Sequence, residues 1–292
     1  VVIVDTTRGR DEVIGEMDFS SAKQLVFDHA IYIHLGDQFV VRNLDLENRR
    51  CYVEAADTDY WTDSIVKTDI KVLSEDEERP VAGVRTVLGD VLVRTQATKF
   101  KKLKYRTNEN IGYGDVDLPA DEMHTRSAVL LFDEGSPLGK RFAALPLSDQ
   151  GILVQRLGVL LRTVSPVFLL CDARDLGVAE RVRDPHFDAP CIFVYDQYPG
   201  GIGLSEGLLK NLAPIVRGAE ELVRTCPCEN GCPSCIGAPD SLTPAPEGPE
   251  GAAPAAPATP VPASPALLAP VGIDAKKTVR DYLAAWVAAL EG

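Results

Sequence analysis

The run CIFVYDQYPGGIGLSEGLL occupies residues 191–209 and continues as KNLAPIVRGAEELVRT to residue 225. Its first six residues are apolar up to a final aspartate, which predicts a buried strand. The glycines of PGGIG predict a turn. The apolar spacing after this turn predicts a helix that Pro214 bends or divides. A strand, a glycine turn and a helix in this order predict α/β structure for this part of the chain.

Four of the seven cysteines lie directly after this unit, in the string CPCENGCPSC; they are Cys226, Cys228, Cys232 and Cys235. Four thiolates are the ligand set of a tetrahedral zinc site, and Gly231 and Pro233 would supply the tight turns of the loop. A catalytic zinc keeps one position open for water, so a closed set of four cysteines favours a structural role. Two disulfides, or a redox pair formed by Cys232 and Cys235, are the alternatives.

The first 115 residues consist of short β-branched or aromatic runs separated by polar or turn-forming clusters. This pattern predicts an N-terminal, antiparallel, barrel-like β domain over residues 1–115. One hairpin is expected to be closed around Glu47 and Asn48. Four further strands are expected over 65–73, 81–88, 90–97 and 100–107.

Residues 116–237 are predicted to form an α/β zinc-binding domain. A strand is expected over 121–133, a helix over 149–163 and a buried strand in VFLLCD at 167–172. The predicted fold class is therefore α+β. The apolar stretch over 152–170 contains a glutamine and two arginines, so it favours core structure over a membrane span.

Residues 238–272 hold ten prolines and ten alanines in 35 positions, which predicts a disordered linker. Residues 273–292 are predicted to form a C-terminal amphipathic helix. Its apolar face is Val279, Tyr282, Leu283, Trp286, Val287 and Leu290. The helix is expected to pack on the second domain, and an interaction helix for another protein is the alternative.

The formal net charge of -13 argues against nucleic acid at first sight, because phosphate binding depends on Lys and Arg. The basic residues are nevertheless clustered at one place, without an intervening acid, in the string KFKKLKYR. The candidate nucleic-acid-binding residues are Lys99, Phe100, Lys101, Lys102, Lys104, Tyr105 and Arg106. Lysines of this kind also protect exposed edge strands from aggregation, so a solvated edge strand and a single-strand-binding groove both remain open.

Two further groups have a structural and a functional interpretation. The turn residues Asp196, Pro199, Gly200, Gly201 and Gly203 suit close packing of helix on strand, or contact with a DNA phosphate at a helix N-terminus. Asp172, Asp175 and Asp196 follow predicted strands and could gather a divalent metal as in a nuclease, although aspartates at such positions more often fix turns or caps.

The strings CIFVYDQYPGGIGLSEGLL and CPCENGCPSC together resemble the zinc-binding domain of MrfA-like DNA helicases, RecQ-like superfamily 2 enzymes linked to the repair of crosslinked and alkylated DNA. The resemblance extends upstream through HAIYIHLGDQFVVRNLDLENRRCYVE and KFKKLKYRTNENIGYGDVDLP. It implies that the zinc ligands are the four clustered cysteines. It places the family's strand-turn-helix motif on Tyr195, Asp196, Pro199, Gly200, Gly201, Gly203 and Glu206. The sequence departs from the family after Ile236.

The resemblance implies an accessory C-terminal region of an ATP-dependent DNA helicase acting in DNA repair. Such a region would bind structural Zn²⁺ and guide single-stranded or junction DNA in a bacterial, nucleoid-associated, cytoplasmic setting. A scaffold that recruits a nuclease or repair partner is the alternative. The sequence contains no G-x-x-x-x-G-K-[ST] pattern, so ATP, Mg²⁺ and ATPase activity are expected only in motor domains of the same polypeptide. Because the chain begins at Val1, it is expected to be part of a longer protein.

Overall fold

The structure is a computed structural model that describes residues 1–237 and 274–291. Its contacts group the chain into two compact units. Unit 1 comprises Val1–Asp69 and Val93–Met123, and unit 2 comprises Ile70–Leu92 and the described part of His124–Gly292. The fold is mixed α+β, as predicted. The predicted linker over residues 238–272 lies outside the described residues. The predicted domain bounds after residues 115 and 237 stay predictions.

Unit 1 begins with β1 (Val2–Asp5), β2 (Glu12–Glu16), α1 (Phe19–Leu25), β3 (Ile31–His34), β4 (Asp37–Asp45) and β5 (Arg50–Ala55). The five strands form one sheet in the order β2-β1-β5-β4-β3. The β1–β5 pair is parallel and the other pairs are antiparallel. The predicted hairpin around Glu47 and Asn48 is confirmed, because Asp45 of β4 is paired with Arg50 of β5.

A second sheet contains β6 (Tyr60–Val72), β7 (Glu77–Val81), β8 (Val84–Lys104), β9 (Asn110–Asp115), β10 (Asp121–Leu131), β11 (Leu176–Arg181) and β12 (Cys191–Asp196). Its order is β11-β12-β10-β8-β6, and β7 and β9 pair with β8. The prediction of three strands between residues 81 and 107 is wrong, since β8 runs through as one strand of 21 residues. At Gly89 a Cβ would lie 2.0 Å from the Ser74 carbonyl oxygen, so this glycine serves a close backbone approach within a strand.

The helices of unit 2 are α2 (Pro137–Ala143), α3 (Leu147–Leu169), α4 (Leu204–Lys210), α5 (Leu212–Thr225) and α6 (Ala275–Glu291). The apolar residues of α3, α5 and α6 share one core with those of β10 and β12. The predicted buried strand at 167–172 is wrong. Residues 167–169 form the last turn of α3, which ends where Leu170 takes a left-handed conformation. A short apolar run does not distinguish a buried strand from a helix segment.

By length and composition alone α3 could cross a membrane, with a mean hydropathy of 1.5 over 18 residues. Half of that window is buried inside the protein. The buried side chains include Leu153, Leu157 and Leu160 as well as the polar Gln150 and Arg156. This pattern is that of a core helix, as the sequence predicts.

Candidate metal centre and nucleic-acid surface

The four clustered cysteines converge at the end of α5, which stops at Thr225. The loop that carries them, residues 226–237, is called the cysteine loop below. Adjacent sulfurs are separated by 3.6 Å (Cys226–Cys228), 3.6 Å (Cys226–Cys232), 3.5 Å (Cys228–Cys235) and 3.6 Å (Cys232–Cys235). All four Sγ atoms lie within 4.8 Å of one another. The sequence therefore brings four soft ligand atoms to one point.

These separations bear on two of the chemistries that the sequence leaves open, disulfides and a zinc site. A disulfide requires about 2.05 Å between sulfurs, which these pairs do not approach. Four thiolates placed tetrahedrally about 2.3 Å from a zinc ion would stand roughly 3.8 Å apart, close to the separations found here. Within the described residues, no other group of three or more His, Cys, Asp or Glu side chains has this convergence. The donor set thus fits a tetrahedral, thiolate-bound metal ion.

Glycines allow the cysteine loop to close. Gly231 has φ 109°, and a Cβ there would lie 2.8 Å from the Gly237 carbonyl oxygen. Gly237 also has a positive φ, and its N–H donates to the Cys232 carbonyl at 3.0 Å. Left-handed conformations of this kind are accessible to glycine at little cost. The backbone therefore turns sharply enough to bring Cys226 and Cys235 to the same point.

The thiols of the cluster ionise unequally. Burial opposes ionisation of Cys228, yet hydrogen bonds with Cys235 and Cys226 prevail and lower its pKa to about 7. Burial raises the pKa of Cys235 to about 12. A metal ion binds thiolates and displaces their protons, so metal occupancy would overcome the resistance of the buried Cys235 to ionisation.

Two cationic side chains from helices outside the cysteine loop bind its backbone. The Arg156 guanidinium of α3, which is 2% exposed, donates through Nη1 to the Ile236 carbonyl at 2.8 Å. Lys276 of α6 donates through Nζ to the Cys226 carbonyl at 2.7 Å and also to the Cys228 carbonyl. Burial lowers the pKa of Arg156, and the charge of Cys235 opposes that change. Neither residue could be assigned to the site from the sequence alone.

The glycine turn binds an anion, and that anion belongs to the chain itself. Asp196 ends β12 and is fully buried. Its carboxylate accepts the N–H groups of Ile202 at 2.6 Å, Leu204 at 3.1 Å and Ser205 at 2.9 Å, together with the Ser205 hydroxyl at 2.6 Å. The amides that a phosphate would need at the start of α4 are therefore committed to Asp196.

Close packing accounts for Gly201, whereas Gly200 and Gly203 adopt a positive φ with no atom near their Cβ positions. At Gly201 a Cβ would lie 2.8 Å from the Arg126 Cβ. Arg126 itself binds Glu206 at 3.3 Å, Asp90 at 3.0 Å and also Asp76. Gly200, which follows Pro199 in the chain, donates its N–H to the His124 carbonyl at 2.8 Å. These contacts join the turn to β10 and favour the structural interpretation.

The three aspartates considered for a nuclease-like metal site have separate partners. Asp172 forms an ion pair with Arg174, with Oδ1 and Nε 3.1 Å apart. Asp175 accepts the Tyr198 hydroxyl at 2.7 Å. Asp196 caps α4 as described. Within the described residues they form no metal-binding group.

The basic string lies on β8 and its connection to β9. Lys99 is paired with Asp115 and Lys101 with Tyr113, so these four side chains occupy one face of the β8–β9 pair. Tyr105 and Arg106 are exposed in the turn that follows β8. Because β8 pairs with β9 and stands between β10 and β6 in the sheet order, the edge-strand explanation does not apply to it.

Three residues of the string have side-chain contacts, and the contacts of two of them, Phe100 and Lys104, change their assignment. Phe100 is 3% exposed and packs 5.0 Å from Phe27 between ring centroids, so the expectation that it stacks on bases is corrected: it is a core residue. Lys104 forms an ion pair with Glu109 at 2.9 Å, and this hydrogen bond raises the pKa of Lys104. Lys102 lies over the Tyr60 ring at 5.5 Å.

The structure adds one aromatic residue that the sequence analysis missed. Tyr113 of β9 is 64% exposed and is paired with Lys101 of β8. Its isolated position in NIGYGD gave no indication of this neighbour, because the β8–β9 register brings the two together. An exposed aromatic ring next to lysines is the arrangement found in single-strand binders.

A model of the MrfA Zn-binding domain family matches residues 157–236, which run from α3 through the cysteine loop. The uncharacterized ATP-dependent helicase YprA of Bacillus subtilis is 39% identical over 240 residues, or 81% of this chain and 31% of YprA. The ATP-dependent helicase HRQ1 of Saccharomyces cerevisiae is 26% identical over 253 residues, or 81% of this chain and 23% of HRQ1. The chain thus spans less than a third of the length of these two relatives.

Solved structures that are similar to this chain are also those of a helicase. The crystal structure of the DUF1998 helicase MrfA bound to DNA matches with a TM-score of 0.62 and 38% identity, covering 82% of this chain and 31% of that one. The MrfA structure with DNA and AMPPNP matches with a TM-score of 0.54 and 37% identity, covering 82% and 29%. Over four fifths of its length, this chain is similar to the C-terminal region of the helicase MrfA, and its residues 157–236 match the MrfA Zn-binding domain family.

Proposed function

We propose that this chain is the accessory region of an ATP-dependent DNA helicase acting in DNA repair, and that it holds single-stranded or junction DNA while motor domains of the same polypeptide translocate. The observation that carries the proposal is the match, over 82% of the chain, to a helicase crystallised with DNA. ATP hydrolysis with Mg²⁺ belongs to the motor in this proposal. The setting is the bacterial cytoplasm, at the nucleoid.

The metal in this proposal is a structural zinc ion held by Cys226, Cys228, Cys232 and Cys235. The sulfur separations of 3.5 to 3.6 Å support it, as does the absence of any ligand position left for water in a four-thiolate set. Zinc would supply no reaction step here. It would tie the end of α5 to the backbone that α3 and α6 bind.

The DNA contact in this proposal is the β8–β9 ribbon, with Lys99, Lys101 and Tyr113 on one face, Lys102 on the other, and Tyr105 and Arg106 in the turn after β8. Lysines that track a phosphate backbone, with aromatic rings beside them for bases, give binding without sequence preference. Lys104 is left out because Glu109 already pairs with it. Phe100 is left out because it is buried.

The test is binding of a labelled single strand across a salt series. The triple variant Lys99→Glu, Lys101→Glu, Lys102→Glu should weaken binding by more than tenfold at low salt. It should also reduce the slope of log K against log salt by about 2, since each phosphate contact on a single strand contributes roughly 0.7.

The matched control is Arg8→Glu, Arg10→Glu, Lys67→Glu, which makes the same charge change at exposed positions elsewhere in unit 1. It should lose far less affinity. Equal losses in the two variants would show that net charge, and not the ribbon, governs binding. No binding by the unaltered chain at low salt would remove the DNA-holding role.

A further inference from the structure

The cysteine loop is bound at both ends by cations that come from other parts of the chain. At its start, Lys276 of α6 donates to the carbonyl oxygens of Cys226, at 2.7 Å, and of Cys228. At its end, Arg156 of α3 donates to the Ile236 carbonyl at 2.8 Å. Two of these three carbonyls belong to cysteines of the cluster, and the third directly follows Cys235. The helices therefore fix the backbone of the residues whose sulfurs converge.

Lys276 is held in position by the rest of its helix. In α6 the side chains of Val279, Tyr282, Leu283 and Trp286 are buried in the core of unit 2. The Tyr282 hydroxyl donates to the Leu138 carbonyl at 3.1 Å, and Trp286 Nε1 donates to the Ala82 carbonyl at 2.7 Å. The lysine is thus carried by a docked helix, so its contact with the cysteine loop depends on that docking.

The position of Lys276 within α6 is unfavourable unless the loop compensates for it. The first turn of a helix carries positive partial charge, which disfavours a cation there. Two carbonyl oxygens of the cysteine loop accept from this ammonium group and offset the cost. Lys277, the next residue, is exposed, so water solvates its ammonium group and no such contact is needed.

The charge of an occupied site gives the cations a second role. One Zn²⁺ with four thiolates carries a net charge of about -2. Burying that charge is costly unless opposite charge lies close by. Arg156, buried beneath the loop, and Lys276, at its start, supply two positive charges.

We propose that Lys276 and Arg156 are positioning residues of the metal centre, so that zinc binding and the docking of α6 stabilise each other. This inference rests on the proposed zinc site. It extends that site to a helix outside the residues 157–236 that the zinc-domain family covers. Side chains outside the ligand set that orient the ligands commonly change metal affinity 10- to 100-fold.

The experiment measures zinc affinity of the full chain by competition with a chromophoric chelator. The unaltered protein is measured first and should hold one zinc ion per chain. Lys276→Met should then bind zinc 10- to 100-fold more weakly, and Lys276→Arg should recover part of the loss because it keeps a charged donor. The matched control Lys277→Met removes the adjacent exposed charge and should stay within twofold of the unaltered protein.

The outcomes separate the two claims. An unaltered protein without zinc would overturn the zinc site itself. A zinc-loaded unaltered protein with Lys276→Met of equal affinity would overturn only the coupling to α6. Should Lys276→Met fail to fold, Lys276→Gln, which keeps an uncharged donor, decides the question: weaker zinc binding supports the proposal and unchanged affinity overturns it. Arg156→Met tests the contact at the other end of the cysteine loop, and it should also weaken zinc binding.

Discussion

Asp196 shows how one side chain settles the role of the glycine turn. A helix N-terminus with free amides is a ready anion site. Here the anion is the Asp196 carboxylate, buried and bound by three backbone N–H groups and one hydroxyl. The turn therefore serves to join β12 to α4, and the amides that bind Asp196 are not available to a phosphate.

Replacing Asp196 by Ala should lower the free energy of unfolding of unit 2 by about 2–3 kcal/mol, because the substitution leaves buried donors at the start of α4 without an acceptor. Urea unfolding followed by circular dichroism measures this. Asp172→Ala is the control: its carboxylate is half-exposed and pairs with Arg174 at the surface, so a much smaller loss is expected. Equal losses in both variants would contradict the role assigned to Asp196.

For individual residues, the sequence was a good guide to which side chains could bind a metal and a poor guide to which side chains are exposed. The cysteine cluster could be predicted because all four residues lie in ten consecutive positions, and their spacing alone limits what they can bind. Phe100 and Tyr113 could not be assigned in the same way. Whether a strand residue faces the core depends on its register with β9, and that register is set by contacts distant in sequence.

Among the elements, α6 is the one whose role the sequence left open. Its apolar face suited either docking on the second domain or binding to another protein. In the structure that face lies in the core of unit 2, where the Trp286 ring meets Phe132 at 5.7 Å and Tyr282 at 6.3 Å between ring centroids. The helix is therefore part of the fold of unit 2.

Trp286→Ala should destabilise unit 2 by about 3–5 kcal/mol, since it opens a cavity in the aromatic cluster and leaves the Ala82 carbonyl without its donor. Denaturant unfolding followed by far-ultraviolet circular dichroism is the measurement. Val287→Ala, the adjacent and less buried position, should cost far less. A loss below about 1 kcal/mol for Trp286→Ala would favour the alternative in which α6 binds another protein.

The type of an element was predicted correctly where the apolar periodicity extends over many residues. It was predicted wrongly where the apolar run is short. The helix expected over 149–163 exists as α3 and is longer at both ends. The run VFLLCD was misassigned because the six residues cannot distinguish the end of α3 from a strand. The three strands expected between residues 81 and 107 are one strand, because Gly89, which looks like a turn residue, packs against the Ser74 carbonyl.

The residues that the structure describes form two hydrophobic cores, one in each unit. The unit 1 core gathers around Ile3, Val41 and Val53, and the cysteine loop packs against the unit 2 core. Each unit also holds one of the two tryptophans, Trp61 in unit 1 and Trp286 in unit 2. A metal at the cysteine loop should therefore stabilise one unit and leave the other unaffected.

Chelation of zinc should accordingly destabilise unit 2 alone. In a Trp61→Phe protein the remaining emission comes from Trp286, and it should shift to the red at lower urea concentration once zinc is removed. Amide exchange in β4 and β5 of unit 1 should stay unchanged. The same treatment should expose the partly buried thiols of Cys226, Cys228 and Cys232, whereas Cys51 and Cys235 stay protected because burial raises the pKa of each to about 12.

Cys228→Ser should have the same effect as the chelator when no chelator is added, since the substitution removes one of the four ligands. Cys51→Ser is the control that alters a cysteine of the unit 1 core and should leave both zinc content and the Trp286 transition unaltered. Equal loss of exchange protection in β4 and β12 on chelation would mean that the metal stabilises both units. An unchanged Trp286 transition after complete removal of zinc would mean that it stabilises neither, and the structural role of the cysteine loop would have to be given up.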